Sequence, residues 1–256
     1  MTRTIGVMSG KGGVGKTTVV SNLSTILAKK EKKVTVLDCN FTTSHLLMHF
    51  GKFYHPKTLN DVLRGESSME EATYLNYTGV NIIPASLDLS DMMGVDVKML
   101  GSRIENIFQE QDFVFLDNAA GFGRESISGM MASREAILVA TPYLPDITDI
   151  IRGKTILEDL DVEILGLVLN KVTGKKFEVE DEEILELTEL PILAKIPFDY
   201  KVMESLGLKT PLTFYDKKSR VSKEFHRLAS TLAGEDYIPT GGSILDTLSA
   251  LFRRWS

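Results

Sequence analysis

The 256-residue chain predicts an α/β fold: a three-layer α/β/α sandwich with a mainly parallel β-sheet and helices on both faces. Three observations predict it. Short apolar runs alternate with helical patterns from end to end, the mark of βα units. Several runs are apolar at successive positions, as strands covered on both faces require. Polar and charged residues fall just beyond these runs, where such sheets bind ligands. Hydrophobic residues are 43% of the chain, and no Pro/Ser/Gly-rich linker divides it before residue 234. One domain over residues 1–235 is therefore expected.

The first expected strand, Thr4–Ser9, runs into the segment SGKGGVGKTT (Ser9 to Thr18). Gly10, Gly15, Lys16 and Thr17 satisfy G-x-x-x-x-G-K-[ST]. The chemistry explains the types. In a loop made of Gly10, Lys11, Gly12, Gly13, Val14 and Gly15, glycines let successive backbone N–H groups turn inward as an anion cradle. The helix opening at Lys16, Thr17 and Thr18 adds its positive dipole end. Lys16 reaches the β- and γ-phosphates, and the Thr17 hydroxyl is placed for Mg²⁺. Gly10, Gly12 and Gly15 also fit the dinucleotide fingerprint G-x-G-x-x-G, with Asp38 about 20 residues further on as the ribose acid. Lys16 and Thr17, which a pyrophosphate turn does not need, decide for a nucleoside triphosphate over that reading and over a plain glycine turn. The helical pattern Val19, Val20, Leu23, Ile26, Leu27 follows, as the loop requires.

Further strands are expected at Lys33–Asp38, Val80–Pro84, Phe113–Asp117, Ala136–Thr141, Glu163–Asn170 and Ile192–Ile196. Their ends bring Asp38, Asp117, Asn170 and Pro197 towards the loop, beyond the strand C-termini. Phe113 to Asp117 is an apolar strand ending in an acid, which after a phosphate loop suits Mg²⁺ held through a water.

Lys11 makes the loop KGGVGKT, which resembles the deviant phosphate loop of the MinD/ParA family. The resemblance covers residues 1–235 and implies ATP/ADP and Mg²⁺ as cofactors. It implies that Lys11 crosses to a partner's nucleotide, and hence an ATP-dependent homodimer. Lys11 and Lys16 would stabilise charge developing on the phosphates, with Thr17, Asp38 and Asp117 organising the metal. The family's second strand normally ends Asp-x-Asp, whereas here Asp38 is followed by Asn40. An amide accepts a hydrogen bond from water but is a far poorer proton acceptor than a carboxylate. Slow hydrolysis is expected. A second departure is Ala119, where the family commonly has proline. Asn170 matches the strand end that contacts adenine, while Pro197 and Asp199 match the loop that closes over the base. Asp149 falls where relatives carry an acid near the dimer interface, or is simply a helix-surface charge.

After Glu235 the chain changes character. Residues 236–242 contain Pro239, Gly241 and Gly242 and read as a hinge. Over 243–256, Ser243 suits an N-cap, and Ile244, Leu245, Leu248, Leu251, Phe252 and Trp255 share one helical face. A helix this short is not stable alone in water and needs a surface. The resemblance implies a membrane surface; docking on its own domain or in a partner's groove are the alternatives.

Composition narrows the rest. A net charge of −6 argues against nonspecific nucleic-acid binding. The single cysteine, Cys39, offers no intramolecular disulfide or zinc framework and weakens an iron–sulfur reading. It fits a cytoplasmic protein; the resemblance implies one attached peripherally to membrane that recruits a regulatory or cargo protein. A ParA-like DNA or cargo partitioning ATPase and a nearly non-hydrolysing ATP-bound scaffold remain alternatives. His45 and His49 read as a surface pair, and Glu178 to Glu183 as a solvated acidic helix face.

Overall fold

The computed structural model describes residues 2–104 and 110–237. Its single sheet contains β1 (Arg3–Met8), β2 (Val34–Cys39), β3 (Tyr74–Leu75), β4 (Asn81–Ile83), β5 (Phe113–Asn118), β6 (Glu135–Ala140), β7 (Glu163–Val172) and β8 (Ile192–Pro197). The order is β3-β4-β2-β5-β1-β6-β7-β8, and among the described residues only the β3–β4 pair is antiparallel. All seven expected strands form, with ends shifted by a residue or two. The longest is β7, which continues past Asn170 to Val172. The unforeseen β3 is two residues long, too short to show a period in sequence.

The helices are α1 (Lys16–Lys29), α2 (Leu46–His49), α3 (Leu59–Arg64), α4 (Met69–Ala72), α5 (Leu100–Ile104), α6 (Arg124–Met131), α7 (Leu144–Asp159), α8 (Asp181–Thr188), α9 (Tyr200–Gly207), α10 (Leu212–Tyr215) and α11 (Arg220–Leu232). They divide between the two faces because strand side chains alternate. Ile5 and Val7 of β1, Phe113 and Phe115 of β5, and Ile137 and Val139 of β6 pack with α1, α2, α10 and α11. Val114 and Leu116 pack with α3, α4 and α5, while Ala136, Leu138 and Ala140 pack with α6, α7 and α8. This is the three-layer arrangement expected. In α1, Leu23 and Leu27 are fully buried; truncating either to alanine should cost about 2–5 kcal/mol.

Two expectations need correction. The acidic run is not one helix face, since α8 begins only at Asp181. Glu178 instead turns back on the preceding loop, accepting from Thr173 N at 2.6 Å and Gly174 N at 2.8 Å. Nor are the two histidines both at the surface: His45 is exposed, but His49 is half-buried, with Nδ1 3.4 Å from Ser21 Oγ. The expected helix over 243–256 and the hinge residues from 238 onward lie outside the described residues.

Candidate functional site

The loop between β1 and α1 is shaped by glycines with different duties. Gly13 and Gly15 adopt φ of +78° and +103°, a region that side chains disfavour. At Gly15 the constraint is doubled, because a Cβ would stand 2.2 Å from Asn170 Nδ2. That amide donates to Val14 O at 2.7 Å, tying the end of β7 to the loop. Beside it, Lys171 Nζ donates to Gly13 O at 2.6 Å. Gly10 serves packing instead: a Cβ there would meet Asp149 Cβ at 2.2 Å, so its absence lets α7 lie against the loop.

A cavity of about 480 Å³ opens at the strand C-termini, within the usual range for small-molecule sites. Gly12, Gly13, Gly15, Lys16, Thr17 and Thr18 line one end. Asn170, Pro197 and Asp199 line the other, joined by Phe198, Val202, Met203 and Leu206, which make that end apolar. Among the loop residues expected to bind nucleotide, Gly10, Lys11 and Val14 do not line the cavity. Val14 is buried in the core, and Lys11 turns away to α7.

Beneath the loop lies a buried charge cluster. Asp38 and Asp117 are register partners on β2 and β5 and are 0% and 2% exposed. Burial raises the pKa of Asp117, and the neighbouring Asp38 raises it further; Thr17 and Lys16 oppose them. Burial likewise raises that of Asp38, against hydrogen bonds from Ser44 Oγ (2.6 Å), Asn40 N (3.0 Å) and Leu46 N (3.3 Å). Lys16 is buried too, and desolvation lowers its pKa while Asp117 pulls it back. Its Nζ donates to Ser9 Oγ at 2.9 Å.

These residues fit a divalent cation on structural grounds. Asp117 Oδ1 is a buried oxygen with no hydrogen-bond partner, a costly arrangement that a cation would relieve. Asp38 differs, because both of its oxygens already accept hydrogen bonds. Its charge can act on a cation through the field or a water more readily than as a further direct ligand. Thr17 lies at the cavity edge beside Asp117.

Asn40 also lines the cavity, but its carboxamide is occupied locally. Nδ2 donates to Thr43 O at 2.7 Å, and Oδ1 accepts from Thr43 Oγ1 at 3.0 Å. Lys11 Nζ lies 2.9 Å from Asp146 Oδ1 and 4.0 Å from Asp149 Oδ2. Partial burial works against the Asp146 carboxylate, yet hydrogen bonds from Thr141 and Lys11 outweigh it and hold its pKa low. Sequence reading missed Ser9, Ser44, Asp146, Lys171 and the apolar base end. Ser9 and Lys171 adjoin motif residues and could have been found; Ser44, Asp146 and the α9 residues carry no local signal.

Glycine cradle, buried lysine, acid pair and an adjoining apolar cleft at the ends of a parallel sheet define a phosphate-loop nucleotide-binding protein. The family model for the CobQ/CobB/MinD/ParA nucleotide binding domain matches residues 5–212. The chain belongs to that family, and its resemblances fall on the MinD side of it. It is 33% identical over 259 residues to an uncharacterized ATP-binding protein of Methanocaldococcus jannaschii, covering 98% of each chain. The septum site-determining protein MinD of Pyrococcus horikoshii, solved with Mg-ADP, superposes with a TM-score of 0.87 at 32% identity, over 91% of this chain and 96% of that one. MinD from the MinC:MinD cell division complex of Aquifex aeolicus gives 0.83 at 26% identity, over 94% and 98%.

Proposed function

We propose that this protein is a MinD-like ATPase that binds Mg-ATP, dimerises on it, attaches peripherally to membrane and recruits partner proteins, with weak intrinsic hydrolysis. The observation that carries the nucleotide reading is the buried group of Lys16, Asp117 and Asp38 beneath the glycine loop, with Asp117 Oδ1 open. The Mg-ADP held by the P. horikoshii relative supports it.

In this reading the loop amides at Gly12, Gly13 and Gly15 and the ammonium of Lys16 bind the phosphates, Lys16 exchanging Ser9 for a phosphate oxygen. Asn170, Pro197 and Asp199 frame the base. Thr17 and Asp117 hold Mg²⁺, with Asp38 assisting; the ion when bound neutralises phosphate charge. Lys11 leaves Asp146 to meet the partner's nucleotide, completing each site only in the dimer. Asn40 is a weak positioner of water, since its amide has low basicity and is engaged by Thr43. A long-lived ATP state follows.

Residues 1–235 form the ATPase unit, 236–242 the hinge and 243–256 the membrane helix. Ile244, Leu245, Leu248, Leu251, Phe252 and Trp255 would enter lipid. One such helix binds weakly and two bind by avidity, so dimerisation couples ATP to membrane attachment. Sedimentation velocity tests the switch. The full chain should be dimeric with Mg-ATP and monomeric with Mg-ADP, and Lys11→Ala should remain monomeric in both. A mass indifferent to nucleotide would overturn the dimer reading.

A further inference from the structure

A second cavity, of about 730 Å³, lies on the other side of the Pro197–Phe198 segment from the nucleotide cleft. Three separate parts of the chain build it: the loop after β7, the end of β8, and the start of α11. Lys175, Lys195, Arg220 and Lys223 line it, with Glu224 as its one carboxylate. We propose that this cavity is a binding site for a phosphate-bearing ligand, distinct from the phosphate loop.

The carboxylates around it are already engaged. Glu224 is paired with Arg227 at 3.0 Å, and Asp181 with Lys195 at 2.7 Å. Glu178, at the base of the loop, is taken up by Thr173 and the Gly174 amide. Among the described residues Lys175, Arg220 and Lys223 have no carboxylate within ion-pair distance. Three unmatched cations therefore converge on one concavity in a protein whose net charge is −6. The 13-residue α11 begins at Arg220, so two of these cations, Arg220 and Lys223, come from its first turns.

The loop is also held in shape. Three hydrogen bonds to Glu178, from Thr173 N, Thr173 Oγ1 and Gly174 N, close the turn that presents Lys175. A planar guanidinium with ammonium groups around it suits the tetrahedral oxygens of a phosphate ester. Pro197 and Phe198 line both cavities, giving the organic part of such a ligand an apolar wall. The phosphate can come from a soluble ester or from a phospholipid headgroup.

Amide NMR of the isotope-labelled full chain separates this site from the phosphate loop without assuming what the loop binds. Titration with inorganic tripolyphosphate should shift Gly174, Lys175, Arg220 and Val221 saturably, whatever happens at Gly10 to Thr18. The combined Lys175→Glu, Arg220→Glu, Lys223→Glu variant should lose at least about tenfold in that affinity. A control reversing Lys33, Lys57 and Lys98, none of which lines the cavity, should not, and Lys223→Arg should retain binding. Flotation with phosphatidylcholine vesicles, with and without phosphatidic acid, identifies the source. A triple-variant defect on acidic vesicles alone, exceeding the control, assigns a headgroup; a defect with tripolyphosphate alone assigns a soluble ester. Shifts confined to Gly10–Thr18, equal effects of the triple variant and the control, or a response to duplex DNA but to neither phosphate source would each overturn the proposal.

Discussion

Lys11 of the phosphate loop and Asp146 of α7 are joined, Nζ to Oδ1 at 2.9 Å, with Asp149 Oδ2 4.0 Å from the same ammonium. The lysine proposed to serve a partner's nucleotide is thus engaged on its own α7. Lys11 is 45% exposed at its side chain and Asp146 13%, so the pair is worth only about 0.2–1 kcal/mol. It biases rather than blocks. Asp146→Asn should tighten ATP-dependent dimerisation by about 1.4- to fivefold per protomer, the same energy expressed as a constant. Sedimentation equilibrium across ATP concentrations measures it, and weaker association would reverse the assignment.

Asn40 makes a second prediction. Replacing it with aspartate removes the donor to Thr43 O while keeping an acceptor for Thr43 Oγ1, and restores a basic oxygen at the cavity. Asn40→Asp should raise the rate of phosphate release at least about tenfold, a modest share of what a general base contributes. A turnover equal to the parent's would show that another group positions the water.

Asp117 links the site to stability through pH. Its folded-state pKa is raised by burial and by Asp38, from an unfolded value of about 4. Between those values the folded protein binds more protons than the unfolded, so this group's stabilisation is present at low pH and is lost as pH rises through the raised value. In protein without nucleotide or metal, Asp117→Asn should therefore raise the melting temperature at pH 8 by several degrees and change it little at pH 4. The same variant should lose Mg²⁺-dependent nucleotide affinity. A melting difference constant across pH would contradict the assignment.

Gly15 and Asn170 offer a test of geometry. With φ at +103° and the Asn170 amide only 2.2 Å from where a Cβ would stand, Gly15→Ala should destabilise the fold by about 2 kcal/mol or more. Part of that cost is steric and local, so Asn170→Ala should recover some of it and the pair should be non-additive. Urea denaturation of the two single variants and the double variant measures the coupling; simple addition would mean that backbone strain alone explains the loss.

What sequence made legible divides along physical lines. The parallel strands were readable because burial on both faces leaves continuous apolar runs, as in Phe113 to Leu116, and the loop was readable because its chemistry lies within ten consecutive residues, Ser9 to Thr18. Contacts between distant segments were not. Nothing near Lys11 announces Asp146, 135 residues away. Ser44 touches Asp38 only because the chain folds back after β2. The second cavity gathers Lys175, Lys195 and Arg220 from three segments far apart in the chain. Glu178 looked like part of an acidic helix because composition cannot distinguish a solvated carboxylate from one capping a turn.

In the proposed function, ATP binding is converted into membrane attachment through the tail. Liposome co-sedimentation of the full chain and of a version ending at Thr240, each with Mg-ATP and Mg-ADP, tests it most directly. The full chain should pellet with ATP, little with ADP, and not at all after truncation. Pelleting indifferent to nucleotide, or unchanged by removing the tail, would contradict it.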